Sequence, residues 1–345
     1  MLAELVVAAA VVMVLLGTVF TLVDPARGGL GVQPEIAEMQ QRLRSGFVRL
    51  QTDLLLAGSG PHASVDVSVA RLRPPVVPAL FGHRHALASG ATFVSDALTM
   101  MYAPPGDVAT PLAGAFSGLP GDVPLAPDGS RCRPGIATCG FSANSLALMF
   151  DASGRSDIVR VLRVFDGTLR IRPVGEGPAQ PFAAGASIMP IAVRGYYHDR
   201  ASARLRFQNG WVTDVPVLDD VVGLSIRYFG RPALSADIRA GGPLAPCLAA
   251  ALAAQPIAQA DTVQSEEELT AALLTDGPWC GGRFRYDADL FRVRRIRVEI
   301  RLQASAARHR GRDPALFTRP GSARHSLAPD LVGIIEVTPR TLPGF

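Results

Sequence analysis

An α+β fold is predicted, with one long N-terminal helix in two halves, transmembrane and then amphipathic, ahead of a large β-rich head. Three observations predict it. Leu5 to Val23 carry no charge. An apolar stripe at three- and four-residue spacing runs from Ile36 to Ala57. Beyond residue 60, short β-type runs alternate with Pro/Gly-rich turns. The implied organisation is a transmembrane helix over 1–23 and an amphipathic stem helix with a Pro/Gly break over 24–60. A β-rich head follows over 61–345, with a helical insert at about 247–280.

The first element rests on length. Nineteen uncharged residues at 1.5 Å each give about 28 Å of helix, close to the roughly 30 Å bilayer core. Leu5, Val6, Val7, Val11, Leu15, Leu16 and Phe20 are its bulky lipid-facing candidates. A removable signal peptide would need a basic n-region and a small-residue cleavage site. Here the first basic residue is Arg27, and Asp24-Pro25-Ala26-Arg27 follows the span at once. A retained helix is expected.

Glu4 stands at the head of this span, and a carboxylate in hydrocarbon costs a few kcal/mol. At the rim it reaches the interface or the positive end of the helix dipole. The alternative is a positive partner from another subunit. Leu2-Ala3-Glu4-Leu5-Val6-Val7-Ala8 resembles the start of type IV pilins and type II secretion pseudopilins. In those families a glutamate is the fifth mature residue and pairs with the methylated amine of a neighbouring subunit. The resemblance implies that role for Glu4, with Leu2 and Ala3 at the third and fourth mature positions. The basic leader, cleavage glycine and N-terminal aromatic of the family do not precede Leu2. The expectation is a start codon recorded downstream of the true one, with processing by prepilin peptidase if an upstream leader exists.

Pro25, Gly28, Gly29, Gly31 and Pro34 loosen or break a helix. Periodicity then resumes in Ile36, Met39, Leu43, Phe47, Leu50, Leu54 and Ala57, flanked by polar residues, until Gly58-Ser59-Gly60-Pro61 stops it. The stripe reads as packing against the chain's own head. The resemblance adds a second face that enters a filament core.

With 345 residues, 19% charged and 48% hydrophobic, the chain has a composition that folds. Net charge is +4, and arginine far outnumbers lysine. The densest basic run, Arg292 to Arg301, alternates with apolar residues, so it reads as a strand with one dry and one solvated face. No nucleic-acid contact is predicted from it. Cys132, Cys139, Cys247 and Cys280 form no C-x-x-C pair, which argues against zinc. Of three possible pairings the sequential one is expected, closing loops worth about 2.5 and 4 kcal/mol in the chain-entropy picture. Four buried thiols are the alternative. An even cysteine number beside a membrane anchor points to an oxidising compartment.

In the head, strands are predicted at 63–72, 96–102, 145–150, 158–165, 168–172, 187–197, 203–207, 223–229, 291–302 and 331–338. Ser265-Glu266-Glu267-Glu268 reads as a capping box opening a helix over Leu269–Leu274, and a second helix is expected at Cys247–Ala254. Pro104 to Arg133 reads as a long surface loop. Asp219-Asp220 sits where a helical turn begins. Ser95-Asp96-Ala97-Leu98-Thr99 with Tyr102, then Tyr196-Tyr197, then Val217 to Tyr228, are similar in order to the heads of PilW-type minor pilins and of pseudopilin J.

No catalytic motif is present: no G-x-S-x-G, H-E-x-x-H or P-loop. His83 and His85 share a strand face without further ligands nearby, and the Asp151–Asp157 stretch reads as a turn rather than a calcium loop. No cofactor and no enzymatic activity are expected. The reading is a minor pilin or pseudopilin of a bacterial envelope machine. It would be single-pass in the inner membrane, with its head in the periplasm, on a filament or at the cell surface, and partnered by other pilin or pseudopilin subunits. A non-polymerising envelope binding or adhesion protein is the main rival.

Overall fold

The computed structural model describes residues 2–59, 78–82, 93–104, 109–126, 140–151, 153, 155–174, 177–210, 213–231, 265–280, 286–323 and 327–339, without the side chains of 2–4, 20–31 and 280. Helix α1 spans Leu2–Leu56. Its backbone takes in Pro25, Gly28, Gly29, Gly31 and Pro34, so the break expected there does not end it. A proline removes one helical hydrogen bond and a glycine weakens a turn, and a long helix can survive both.

The transmembrane half of the expected fold is corrected. Among the described residues no helix is long and apolar enough to cross a membrane. The described apolar side chains run from Leu5 to Val19, about 22 Å of helix against the roughly 30 Å a bilayer core requires. From Val32 to Leu56 the helix is amphipathic.

The strands of the described chain are all antiparallel and form three sheets, joined by turns and two short 3-10 helices, Ala288–Arg292 and Ala307–His309. The largest has ten strands, in the order β1 (Leu80–Phe81), β2 (Ala97–Tyr102), β8 (Ser187–Asp199), β5 (Leu146–Phe150), β6 (Ser156–Phe165), β7 (Thr168–Pro173) and β4 (Gly121–Pro124). Strand β3 (Thr110–Pro111) pairs with β8, and β9 (Arg204–Asn209) joins β8 to the edge strand β10 (Thr213–Asp219). The second sheet runs β12 (Glu267–Leu269), β11 (Val221–Gly230), β15 (Val293–Leu302) and β16 (Leu331–Val337). A two-stranded ribbon pairs β13 (Trp279–Cys280) with β14 (Tyr286–Asp287).

Alternation explains the two layers. Leu146, Leu148 and Ile191 from one face of the large sheet, with Leu98, Met100 and Tyr196 from β2 and the far half of β8, join a core shared with α1 and with Ile226, Ile296, Val298 and Ile300 of the second sheet. The other face supplies Ala147, Met149, Val159, Val161, Leu169 and Ile171 to a second core, closed by Leu112, Phe116, Phe141 and Phe182. The expected surface loop at 104–133 is therefore corrected. It contains β3 and β4, and its Leu112, Phe116, Val123 and Leu125 are buried.

The capping-box helix is also corrected. Glu267–Leu269 is strand, because Leu269 is buried opposite Tyr228 of β11 and that pairing overrides the local helix signal. Only a turn follows, with the Leu274 N–H donating to the Thr270 carbonyl at 3.1 Å. Asp219 and Asp220 open no helical turn; they link β10 directly to β11, with Asp220 at φ 59°. The predicted strand at 63–72 and the helix at Cys247–Ala254 lie outside the described residues.

Candidate assembly surface

Helix α1 uses its two described stretches differently. Every residue from Leu5 to Val19 is exposed, its large apolar side chains from 72% at Leu5 to 51% at Leu16. Val6, Val7, Val11 and Leu15 are all exposed, and with Val12, Met13 and Leu16 they go around the whole helix circumference. Glu4 and Phe20 carry no described side chain.

The second stretch is docked. Met39, Leu43, Leu50 and Leu54 are buried in the core shared with the sheets, and Ile36 and Phe47 pack half-buried against it. The approach is close. A Cβ on Gly46 would lie 2.5 Å from Leu218 Cδ1 of β10, and one on Gly333 of β16 would lie 2.5 Å from Leu43 and 2.6 Å from Phe47. Gly46 falls on the stripe itself, between Leu43 and Leu50. Its spacing could have marked a close-approach position, but an apolar pattern passes over glycine.

Polar contacts pin the docked stretch at two levels. Arg42 Nη1 donates to Asp220 Oδ2 at 2.8 Å, and the Ser305 backbone N–H donates to Glu35 Oε1 at 2.6 Å. Three helical turns beyond Arg42, Asp53 accepts from the Tyr196 hydroxyl at 2.6 Å and the Tyr102 hydroxyl at 3.0 Å. Burial first, then the Asp53 charge, raises the Tyr196 hydroxyl above its ordinary range, so it stays a donor. Tyr102 is raised as well, chiefly by burial. Asp53 has no apolar signature, and nothing in the sequence joins it to residues 102 and 196.

The other sequence candidates sit apart from this surface. Cys132, Cys139, Cys247, His83 and His85 lie outside the described residues, and Cys280 ends β13 without a described side chain. The Asp151 carboxylate is taken up locally. It accepts from Ser153 and, through Oδ2, from Arg155 Nε at 2.8 Å. Partial burial opposes its ionisation, yet the bonds from Ser153 and Arg155 hold it below the usual carboxylate range. Asp157 accepts from the N–H groups of Ile158 and Gln180, both at 2.8 Å. This stretch is a tied turn.

One acidic cluster was not legible in the sequence: carboxylate oxygens of Asp276, Asp287 and Asp289 lie within 4.8 Å of one another. Asp287 accepts from the Asp289 N–H at 2.8 Å, capping a short 3-10 turn over Ala288–Arg292, and from the Gly277 N–H at 2.6 Å. Asp289 accepts from Arg292 Nη1 at 3.1 Å. Burial raises both carboxyls. They organise the corner that leads into β15.

The run at 292–301 has the two faces its sequence implies from Arg295 onward, whereas Arg292 and Arg294 are buried. Ile296, Val298 and Ile300 are buried. On the outer face Arg295 Nε reaches Glu266 at 2.9 Å, and Arg297 Nη1 lies 3.7 Å from Glu336. Those charges are neutralised within the sheet.

No family model, no curated protein and no solved structure matches this chain.

Proposed function

We propose that the chain is a structural filament subunit, a minor pilin or pseudopilin of a type IV pilus or type II secretion pseudopilus. One observation carries this reading: the helix surface from Leu5 to Val19 is apolar and exposed on all sides, while the docked stretch and the head complete their cores without it. Apolar surface left in water costs about 25 cal/mol per Å². A helix exposed around its whole circumference is satisfied by several neighbouring helices, as in a filament core, better than by one flat partner. The N-terminal resemblance supports the same occupant, and it assigns Glu4 to the amine of the next subunit. The even cysteine number supports a head outside the cytoplasm.

The test is incorporation into filaments in the native cell. Glu4→Gln and Val11→Glu chains are expected to be lost from sheared filament fractions while the melting of their heads is unchanged. Unchanged incorporation of both variants would favour a non-polymerising binding protein. The mass of the mature N-terminus gives a second readout, where an N-methylated residue preceding Leu2 supports processing by a prepilin peptidase.

A further inference from the structure

All 34 basic residues of the chain are arginine. The β6–β7 hairpin gathers four of them. In its register Arg160 stands opposite Arg172, and Arg163 opposite Arg170. Directly opposed residues on antiparallel strands point to one face. Val159, Val161, Leu169 and Ile171 turn to the second core on the other side. Arg163, Arg170 and Arg172 are exposed, and Arg160 is half-buried, its Nη groups reaching the carbonyls of Asn144 at 3.4 Å and Gly210 at 3.3 Å. Burial, and then the neighbouring Arg172, pushes the Arg160 guanidinium below its ordinary range.

Among the described residues one carboxylate meets this group, Asp122 of β4, at 3.8 Å from Arg170. The outer face of the second sheet differs, since Arg227, Arg295 and Arg297 each meet a glutamate there. Two like-charged cross-strand pairs weaken a hairpin. The folded chain leaves that repulsion standing, and a ligand with repeated negative charge would relieve it. Phe165 ends the stripe at 40% exposure, with the Arg163 guanidinium 5.2 Å from its ring centroid.

We propose that this face binds a single-stranded nucleic acid, with phosphates on Arg160, Arg163, Arg170 and Arg172 and a base stacked at Phe165. Along β7 the arginines repeat at about 6.8 Å, and across the pair at about 5 Å, a lattice suited to successive phosphates. Guanidinium forks bind phosphate in bidentate fashion, and single-strand binders combine a cationic track with an aromatic platform. An acidic extended peptide would seek a free sheet edge. Strands β6 and β7 have neighbours on both sides, so they offer a face instead. The expectation of no nucleic-acid contact concerns the 292–301 run, whose Arg292, Arg295 and Arg297 meet carboxylates; this stripe is a different surface. The inference is independent of filament assembly.

The test is fluorescence anisotropy of the full chain, in mild detergent, with a fluorescein-labelled twenty-nucleotide oligothymidylate. Four phosphate contacts give a slope of log affinity against log salt of about −3, since each contact on a single strand contributes about −0.7. Arg163→Gln with Arg172→Gln should weaken binding tenfold or more and reduce the slope by about 1.4. Arg163→Lys with Arg172→Lys should keep the slope, and both doubles should melt as the parent does. Absence of salt-dependent binding, or an unchanged slope in the Gln double, would overturn the proposal. Displacement of the oligonucleotide by polyglutamate at equal charge concentration would also overturn it, assigning the face to an acidic protein.

Discussion

Along one helix, Leu5–Val19 and Val32–Leu56 present apolar side chains in opposite ways. The second stretch turns Met39, Leu43, Leu50 and Leu54 into a core and leaves its charged side in water. The first has no polar side to leave there. The docked stretch is ordered by its own domain, through apolar burial, two close glycine contacts and polar anchors at Asp220 and Asp53. The first stretch has apolar surface equal to the task of association and no partner within the described chain. Hydrophobicity alone does not separate the two roles; periodicity does.

Truncation is the largest way to sharpen that contrast. Leu50→Ala or Leu54→Ala should cost about 2–5 kcal/mol of head stability, whereas Leu16→Ala should fall within about 0.5 kcal/mol. Urea denaturation in detergent reads both. Equal effects at Leu50 and Leu16 would break the distinction.

Overpacking comes next. Gly46→Val places carbon where Leu218 stands and should destabilise by about 1–3 kcal/mol. A Leu218→Ala background should recover part of that loss, a coupling that a double-mutant cycle measures. The polar anchor is comparable or smaller. Asp53→Ala leaves the buried Tyr196 and Tyr102 hydroxyls without their acceptor, at about 1–3 kcal/mol. Amide exchange of 43–56 should then quicken more than that of β5 and β6.

The smallest effect is the pH dependence, and its sign differs between two sets of carboxylates. Burial opposes ionisation of Asp214, but bonds from Arg206 and Tyr197 hold it below its usual range, and Asp151 is lowered too. Their contribution is present above an unfolded value of about 3.9 and is lost as pH falls through their folded values. Asp287 and Asp289 are raised by burial, so ionising them costs stability as pH rises from about 3.9 through their folded values. Asp287→Asn should therefore flatten the urea midpoint between about pH 4 and pH 7 while leaving the loss below pH 4 intact. A variant whose profile overlays the parent's would contradict this assignment.

The sequence reading succeeded where alternation is strong and failed where tertiary pairing decides. Residues 97–102, 146–150 and 293–302 carry buried runs or clean alternation, and each is a strand. Strand β10 was missed because it is an exposed edge containing Pro216, which an edge tolerates. The capping box at Ser265–Glu268 signals a helix that does not form, because a capping box is a local signal while the pairing of Glu267–Leu269 with β11 is not. The apolar run at the N-terminus gave hydrophobicity faithfully but not the length to cross a bilayer among the described residues. The arginine stripe was invisible in one dimension, because it is split between two strands and a bulge between Val161 and Arg163 breaks its spacing.

Sedimentation velocity of the full chain on stepwise removal of detergent tests the central claim most directly, comparing the parent with Val11→Glu plus Leu15→Glu. If Leu5–Val19 is an association element separate from a self-sufficient head, the parent assembles as detergent leaves, and the double variant stays monomeric with the parent's melting temperature. A parent that remains monomeric in water, or a double variant whose head melts earlier, would contradict the account.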